Sequence, residues 1–161
     1  MASEAIDAGV RIEPGTSEDL DPVMAVMTSA FGDEYGEAWT RSQLAGILPM
    51  AGVTLTLARE PRRDSVRGFS LARTVAGESE LLLIAVLPDF HRGGVGAMLL
   101  DHFLATAREE KVAKVHLEVR DGNPAIAMYR ASGFRPVGRR RNYYTGADGS
   151  RHDAVTLARD I

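Results

Sequence analysis

The residues with the clearest chemical meaning are the glycines of Asp89-Phe90-His91-Arg92-Gly93-Gly94-Val95-Gly96. They follow an apolar run, Leu81 to Leu87, that stops at Pro88, and they lead into Ala97-Met98-Leu99-Leu100, which reads as a helix start. A helix N-terminus presents backbone N–H groups without helical partners and the positive end of the helix dipole. Glycines let an anion reach those groups with no Cβ in the way. Arg92 adds a formal charge. The turn therefore reads as a phosphate site. A Walker loop would end in Gly-Lys-Ser or Gly-Lys-Thr, whereas these glycines run into Ala97. A dinucleotide fingerprint would need a glycine where Leu99 stands, and its acidic partner, Glu118, falls in mid-strand. A turn without a ligand and a loop for another pyrophosphate remain open on these residues alone.

The rest of the composition narrows the chemistry. The chain has 161 residues, 45% of them hydrophobic, which suits one domain with a real core. There is no cysteine. Disulfides, thiolate nucleophiles, cysteine-ligated zinc and a cysteine acyl-enzyme are all excluded. His91, His102, His116 and His152 lack helical or hairpin ligand spacing, so they read as surface or loop residues and no metal is expected. The net charge of −3 advertises no nucleic-acid surface. Arg62-Arg63 and Arg139-Arg140-Arg141 read as loop or hairpin caps. No signal sequence and no apolar stretch of the ~20 residues that cross a bilayer is visible, so a cytoplasmic setting without membrane contact is expected.

These residues need elements to hold them. Residues 1–9 read as a flexible leader and 10–161 as a single domain. Val10 to Glu13 is a short strand, and a helix begins at Ser17 with Val23, Val26, Met27, Ala30 and Phe31 on one face. Gly32 to Gly36 is a loop, and Thr40 to Leu48 a second helix. Val53 to Arg59 and Gly68 to Thr74 pair as a hairpin around the charged turn Glu60 to Arg67. Leu81 to Leu87 has no polar face and should be buried on both sides. Gly96 to Glu110 is amphipathic. Val115 to Arg120 alternates, with Val115, Leu117 and Val119 on one face and His116, Glu118 and Arg120 on the other. Pro124 and Gly133 bracket a short helix. Arg135 to Tyr144 and Asp153 to Leu157 form a tail hairpin turning at Asp148-Gly149. One helix between two apolar strands is a parallel βαβ unit with a right-handed crossover. The fold class is α/β, with a mixed central sheet flanked by helices.

The chain resembles the GNAT family of acetyltransferases. That family places Arg or Gln, two variable residues, Gly, one variable residue, then Gly or Ala after an apolar strand. Gly94 and Gly96 match, and His91 replaces the Arg/Gln. His116-Leu117-Glu118-Val119-Arg120 with Asn123, Ala127, Tyr129 and Gly133-Phe134 is similar to the second half of the RimI-type branch. The tail Arg140-Arg141-Asn142-Tyr143-Tyr144, Ala147-Asp148-Gly149 and Asp153-Ala154 is similar to the same branch. The resemblance spans about residues 10 to 160. The stretch from Asn123 to Tyr129 is one residue shorter than the pattern.

The resemblance implies a GNAT fold and transfer of an acetyl group from acetyl-coenzyme A to a primary amine. The acceptor implied is the N-terminal α-amine of a protein, of ribosomal-protein type. An acetyltransferase for a small amine or aminoglycoside and a non-catalytic coenzyme-binding module are the alternatives. It implies a coenzyme site made of His91, Arg92, Gly93, Gly94, Val95, Gly96, Ala97 and Asn123. The main chain of Ile84, Ala85 and Val86 should run along the pantetheine arm, with an N–H near Val86 for the oxyanion. Glu118 is implied as base, directly or through water, and Tyr129 as the acid that protonates the departing sulfur. The structural alternatives are a strand carboxylate paired with Arg120 or His116, and a packing tyrosine. Tyr143, Tyr144 and Trp39 are expected at the acceptor cleft, with Tyr35 near the loop between the first two helices.

Overall fold

The computed structural model describes residues 9–161; the expected leader over 1–9 lies, except for Gly9, outside the described residues. A seven-stranded sheet takes the strands in the order β1-β2-β3-β4-β5-β7-β6. Its strands are β1 (Arg11–Pro14), β2 (Val53–Glu60), β3 (Ser65–Val75), β4 (Glu78–Val86), β5 (Lys114–Arg120), β6 (Arg135–Thr145) and β7 (Arg151–Asp160). All pairings are antiparallel except β4 with β5. That parallel pair is joined through α3 (Val95–Glu109), as the apolar–glycine–amphipathic succession requires.

The remaining helices are α1 (Leu20–Phe31), α2 (Arg41–Ile47) and α4 (Ile126–Ala131). Thr40 caps α2 in a capping box with Gln43. The first helix departs from expectation. Thr16, not Ser17, is the cap, and Ser17–Asp19 forms a single 3₁₀ turn before α1 begins at Leu20. Pro124 likewise lies outside the helix it was expected to start, because α4 begins at Ile126.

Helices cover both faces of the sheet. Phe69 of β3 packs with Val23, Val26 and Met27 of α1. Its neighbour Gly68 abuts Val95 and Leu99 of α3. Successive strand residues point to opposite faces, so α1 and α3 lie on opposite sides of β3. A second cluster joins Leu100, Phe103 and Leu104 of α3 to Val115, Leu117 and Val119 of β5, with Tyr129 and Phe134. The apolar face of β5 is thus the expected one.

The sheet opens in its middle. The β4–β5 ladder runs only from Glu78↔Lys114 to Leu81↔Leu117. Beyond that point β4 stays paired with β3 as far as Val86↔Gly68, and β5 stays paired with β7 as far as Arg120↔Ala154. Each strand follows its other neighbour, and the two halves of the sheet diverge.

Candidate active site

The gap between β4 and β5 is a cavity of about 530 Å³. The free edge of β4, Leu82 to Val86, forms one wall, and Val119, Arg120, Asn123, Ala125, Met128 and Tyr129 form the other. Ile84, Ala85, Val86, His91, Gly96 and Asn123, expected at the coenzyme, and Tyr129, expected as the acid, all line it. Main-chain groups on an unpaired strand edge are obligate hydrogen-bonding groups, so this wall suits a ligand carrying amides.

Arg92, Gly93 and Gly94 are exposed on the turn and Ala97 on the first turn of α3, and none of the four lines the slot. Gly94 caps α3 in the left-handed conformation, φ +81°, and a Cβ there would point into open space. The first helical bond runs from the Met98 N–H to the Gly94 carbonyl, so the N–H groups of Val95, Gly96 and Ala97 precede it and have no helical partner. The Val95 side chain is buried with Val10, Ala58, Val86 and Leu99, leaving only its main chain on offer. His91 is exposed and lines the slot, and its Nε2–H donates to the Val86 carbonyl at 2.8 Å. The turn tightens through the 3₁₀ segment Pro88–Phe90, which the apolar run followed by Pro88 did not announce.

A second cavity of about 470 Å³ adjoins the first. Trp39, Glu118, Tyr143 and Tyr144 line it together, with Glu37, Gln43, Glu80 and Leu81 to Leu83. The three aromatic residues named from sequence therefore meet the carboxylate named from sequence. Tyr35 belongs instead to the larger slot. Leu81 to Leu83, Glu37 and Tyr144 line both cavities, so the two meet where the ladder opens.

Glu118 lies on the open face of β5 with its side chain 19% exposed, and its partner is Arg140 of β6, at 2.9 Å. The expected structural alternative, a pair with Arg120 or His116, is not what forms. Arg120 turns to Glu37, and His116 faces Glu80 at 3.9 Å. Tyr129 is 5% exposed and packs edge-on against Phe134. Its hydroxyl has no protein hydrogen-bond partner among the described residues, and the residue lines the slot. Burial raises its pKa well above the usual phenol value, with Glu37 adding to the effect, so the hydroxyl holds its proton throughout the neutral range. Tyr144 is pushed up to about 12 by burial and by Glu37.

Sequence reasoning missed Glu37. It stands in the loop between α1 and α2 and bonds Arg120 and Asn123, more than eighty positions away. No local pattern marks such a residue. Strand alternation puts Arg120 opposite the core, yet it is buried, held by Glu37 and stacked over the Tyr35 ring at 3.6 Å. No group of three or more His, Asp or Glu residues among those described is arranged to hold a metal.

Comparison with known proteins gives a family, two relatives and two solved structures. The acetyltransferase (GNAT) family matches residues 22–134. The [ribosomal protein bS18]-alanine N-acetyltransferase of Haemophilus influenzae is 37% identical over 84% of this chain and 98% of its own length. The enzyme of that name from Escherichia coli K12 is 43% identical over 62% of this chain and 68% of its own. Among solved structures, the ribosomal-protein-S18-alanine N-acetyltransferase of Escherichia coli superposes with a TM-score of 0.85 at 30% identity, covering 94% of each chain. Arabidopsis thaliana NAA60, solved in complex with acetyl-CoA, shares the fold at a TM-score of 0.82 and 17% identity, over 94% of this chain and 98% of its own.

Proposed function

The chain belongs to the GNAT family of acetyltransferases, and we propose that its two cavities are the coenzyme slot and acceptor cleft of a protein N-terminal acetyltransferase. The observation that carries this is the opening of the sheet after Leu81↔Leu117. It places Tyr129 on one side of a shared boundary and Glu118 on the other. Relatives named as alanine N-acetyltransferases of ribosomal protein bS18 make a protein N-terminus of that type the acceptor of choice. A cytoplasmic setting goes with that acceptor, and no helix among the described residues is long and apolar enough to cross a membrane.

The residues fit acetyl-CoA. The edge of β4 beyond Leu81 offers main-chain amide groups, and no protein atom stands within 4 Å of where a Gly94 Cβ would be, which leaves the N–H groups of the turn open to an anion. The N–H groups of Val95, Gly96 and Ala97 would hold the pyrophosphate, with Arg92 beside them. The coenzyme supplies an activated acyl group and a thiol leaving group.

The protein's own groups then move two protons. An α-amine has a pKa of about 8, so roughly a tenth is neutral at pH 7 and little help is needed. Glu118 takes the proton the amine loses on attack, directly or through a water. Tyr129, kept protonated by burial, gives its proton to the departing sulfur. Trp39, Tyr143 and Tyr144 flank the peptide, and Tyr144 also borders the slot.

The test is coenzyme A release from acetyl-CoA with peptides that differ in their first residue, run beside polyamines and aminoglycosides. Selective release with an alanine-starting peptide is expected. Preferred turnover of the small amines would overturn the acceptor assignment.

A further inference from the structure

We propose that Glu37 is a positioning residue for Tyr129: from the loop between α1 and α2 it holds Asn123, and through Asn123 the turn from which the Tyr129 helix starts. The proposal rests on the reading of Tyr129 as proton donor.

The contacts form one chain. Glu37 Oε2 accepts from Asn123 Nδ2 at 2.9 Å. Asn123 Oδ1 accepts from the Ala125 N–H at 2.8 Å. The Ala125 carbonyl accepts from the Tyr129 N–H at 3.1 Å. Both ends fix the orientation of the Asn123 amide, because a carboxylate can only accept and a backbone N–H can only donate. Glu37 is itself anchored. Its Oε1 accepts from Arg120 Nε at 3.1 Å, and the two side chains are only 11% and 10% exposed. The Ala147 N–H donates to the Asp33 carbonyl at 3.2 Å, tying the same loop to the β6–β7 turn.

The helix needs this support. It has six residues, Ile126–Ala131, and its own N-cap, Ala125, offers no side-chain cap. So short a helix does not hold itself in water. The segment from Asn123 to Tyr129 is also one residue shorter than the family pattern. Asn123, implied by resemblance to touch the coenzyme, here has its carbonyl on the helix entry and its amide on Glu37. Its work is on the turn. A small displacement of a proton donor lowers kcat and leaves substrate affinity nearly intact.

The experiment measures kcat, and KM for acetyl-CoA and peptide, for Glu37→Ala, Glu37→Gln, Asn123→Ala and Glu37→Ala/Asn123→Ala. Each is made with Tyr129 and with Tyr129→Phe, and melting curves establish the folded fraction. Tyr129→Phe alone should lower kcat by about a hundredfold. Glu37→Ala and Asn123→Ala should each lower it between about tenfold and about a hundredfold, and the double variant no further than the worse single. Glu37→Gln keeps one acceptor oxygen for two donors, Arg120 Nε and Asn123 Nδ2, so it should recover only part of the loss. With Tyr129→Phe in place, neither substitution should lower kcat again. Glu37→Ala strips Arg120 of its carboxylate. Asn123→Ala leaves that pair intact and carries the test alone if Glu37→Ala does not fold. Losses that multiply with Tyr129→Phe, or an Asn123→Ala effect confined to KM for acetyl-CoA, would overturn the proposal while Tyr129 keeps its role. A Tyr129→Phe enzyme with undiminished kcat would remove the proton-donor reading and the proposal with it.

Discussion

Gly94→Val and Gly96→Ala separate the two things glycine does in the turn before α3. At Gly94 the backbone has φ +81°, and a Cβ would meet no protein atom within 4 Å. The neighbouring protein does not resist a side chain there. The left-handed backbone does, by about 1–2 kcal/mol for an ordinary L residue and up to about 3 kcal/mol at a strained site. A β-branched residue is the worst suited to that region. Relief requires the turn to move, and that turns the N–H groups of Val95, Gly96 and Ala97 away from the ligand. A loss of about 1–3 kcal/mol corresponds to acetyl-CoA binding weakened from about fivefold to about a hundredfold. The melting midpoint should fall by about 2–12 °C, at about 2–4 °C per kcal/mol for a chain of this size. Gly96 differs. It lies within the first turn of α3, and its Cβ would make ordinary contact with Met128 Sδ at 3.5 Å and Val86 Cγ2 at 3.7 Å. Alanine is favoured over glycine in helices by up to about 1 kcal/mol. Gly96→Ala should therefore melt no lower than the parent and keep its affinity. Calorimetric titration with acetyl-CoA and melting curves read both effects. Unchanged affinity in Gly94→Val, or an equal loss in Gly96→Ala, would refute the assignment of the pyrophosphate to this turn.

Glu118→Gln should lower kcat/KM toward an N-terminal peptide by about ten- to a hundredfold at pH 7, at or below the low end for general bases because the amine is already partly neutral. The deficit should shrink by pH 9, where most of an amine of pKa about 8 is neutral without help; a deficit constant with pH would remove the base role. Arg140→Met breaks the same ion pair but should change the rate little, since Arg140 is 61% exposed and such pairs are weak. Stability should also depend on alkaline pH. Tyr144 titrates near 12 in the folded protein and Tyr129 is raised in the same direction, while unfolded tyrosines titrate near about 10. Above about pH 10 the unfolded chain releases protons that the folded chain keeps, so their stabilising contribution is complete below that pH and is lost as pH rises through 12. Denaturant midpoints between pH 8 and 11 should fall less steeply in Tyr144→Phe and Tyr129→Phe than in the parent; equal slopes would contradict the burial argument.

Much of the site was legible along the chain because its parts are local. An apolar run ended by Pro88, a glycine turn and an amphipathic stretch specify strand, turn and helix within twenty consecutive residues. Alternation from Val115 to Arg120 is enough to put Glu118 opposite the core, and burial of Val115, Leu117 and Val119 follows from the same pattern. Side-chain partners were not legible. Glu118 could be matched from sequence only with its strand neighbours, whereas Arg140 reaches it from β6. The opening of the sheet was equally hidden. How far β4 and β5 stay together depends on the strands that hold them from outside, β3 and β7, so no residue of either strand encodes it alone. Glu37 belongs to the same class. Its carboxylate has meaning only after folding brings the α1–α2 loop onto Arg120 and Asn123. Sequence by itself determined which short segments could cradle a phosphate or present a carboxylate, because backbone conformation and side-chain period are set by near neighbours. The tertiary structure alone decided where the sheet parts and which charges meet there, because those contacts join residues that the chain keeps far apart.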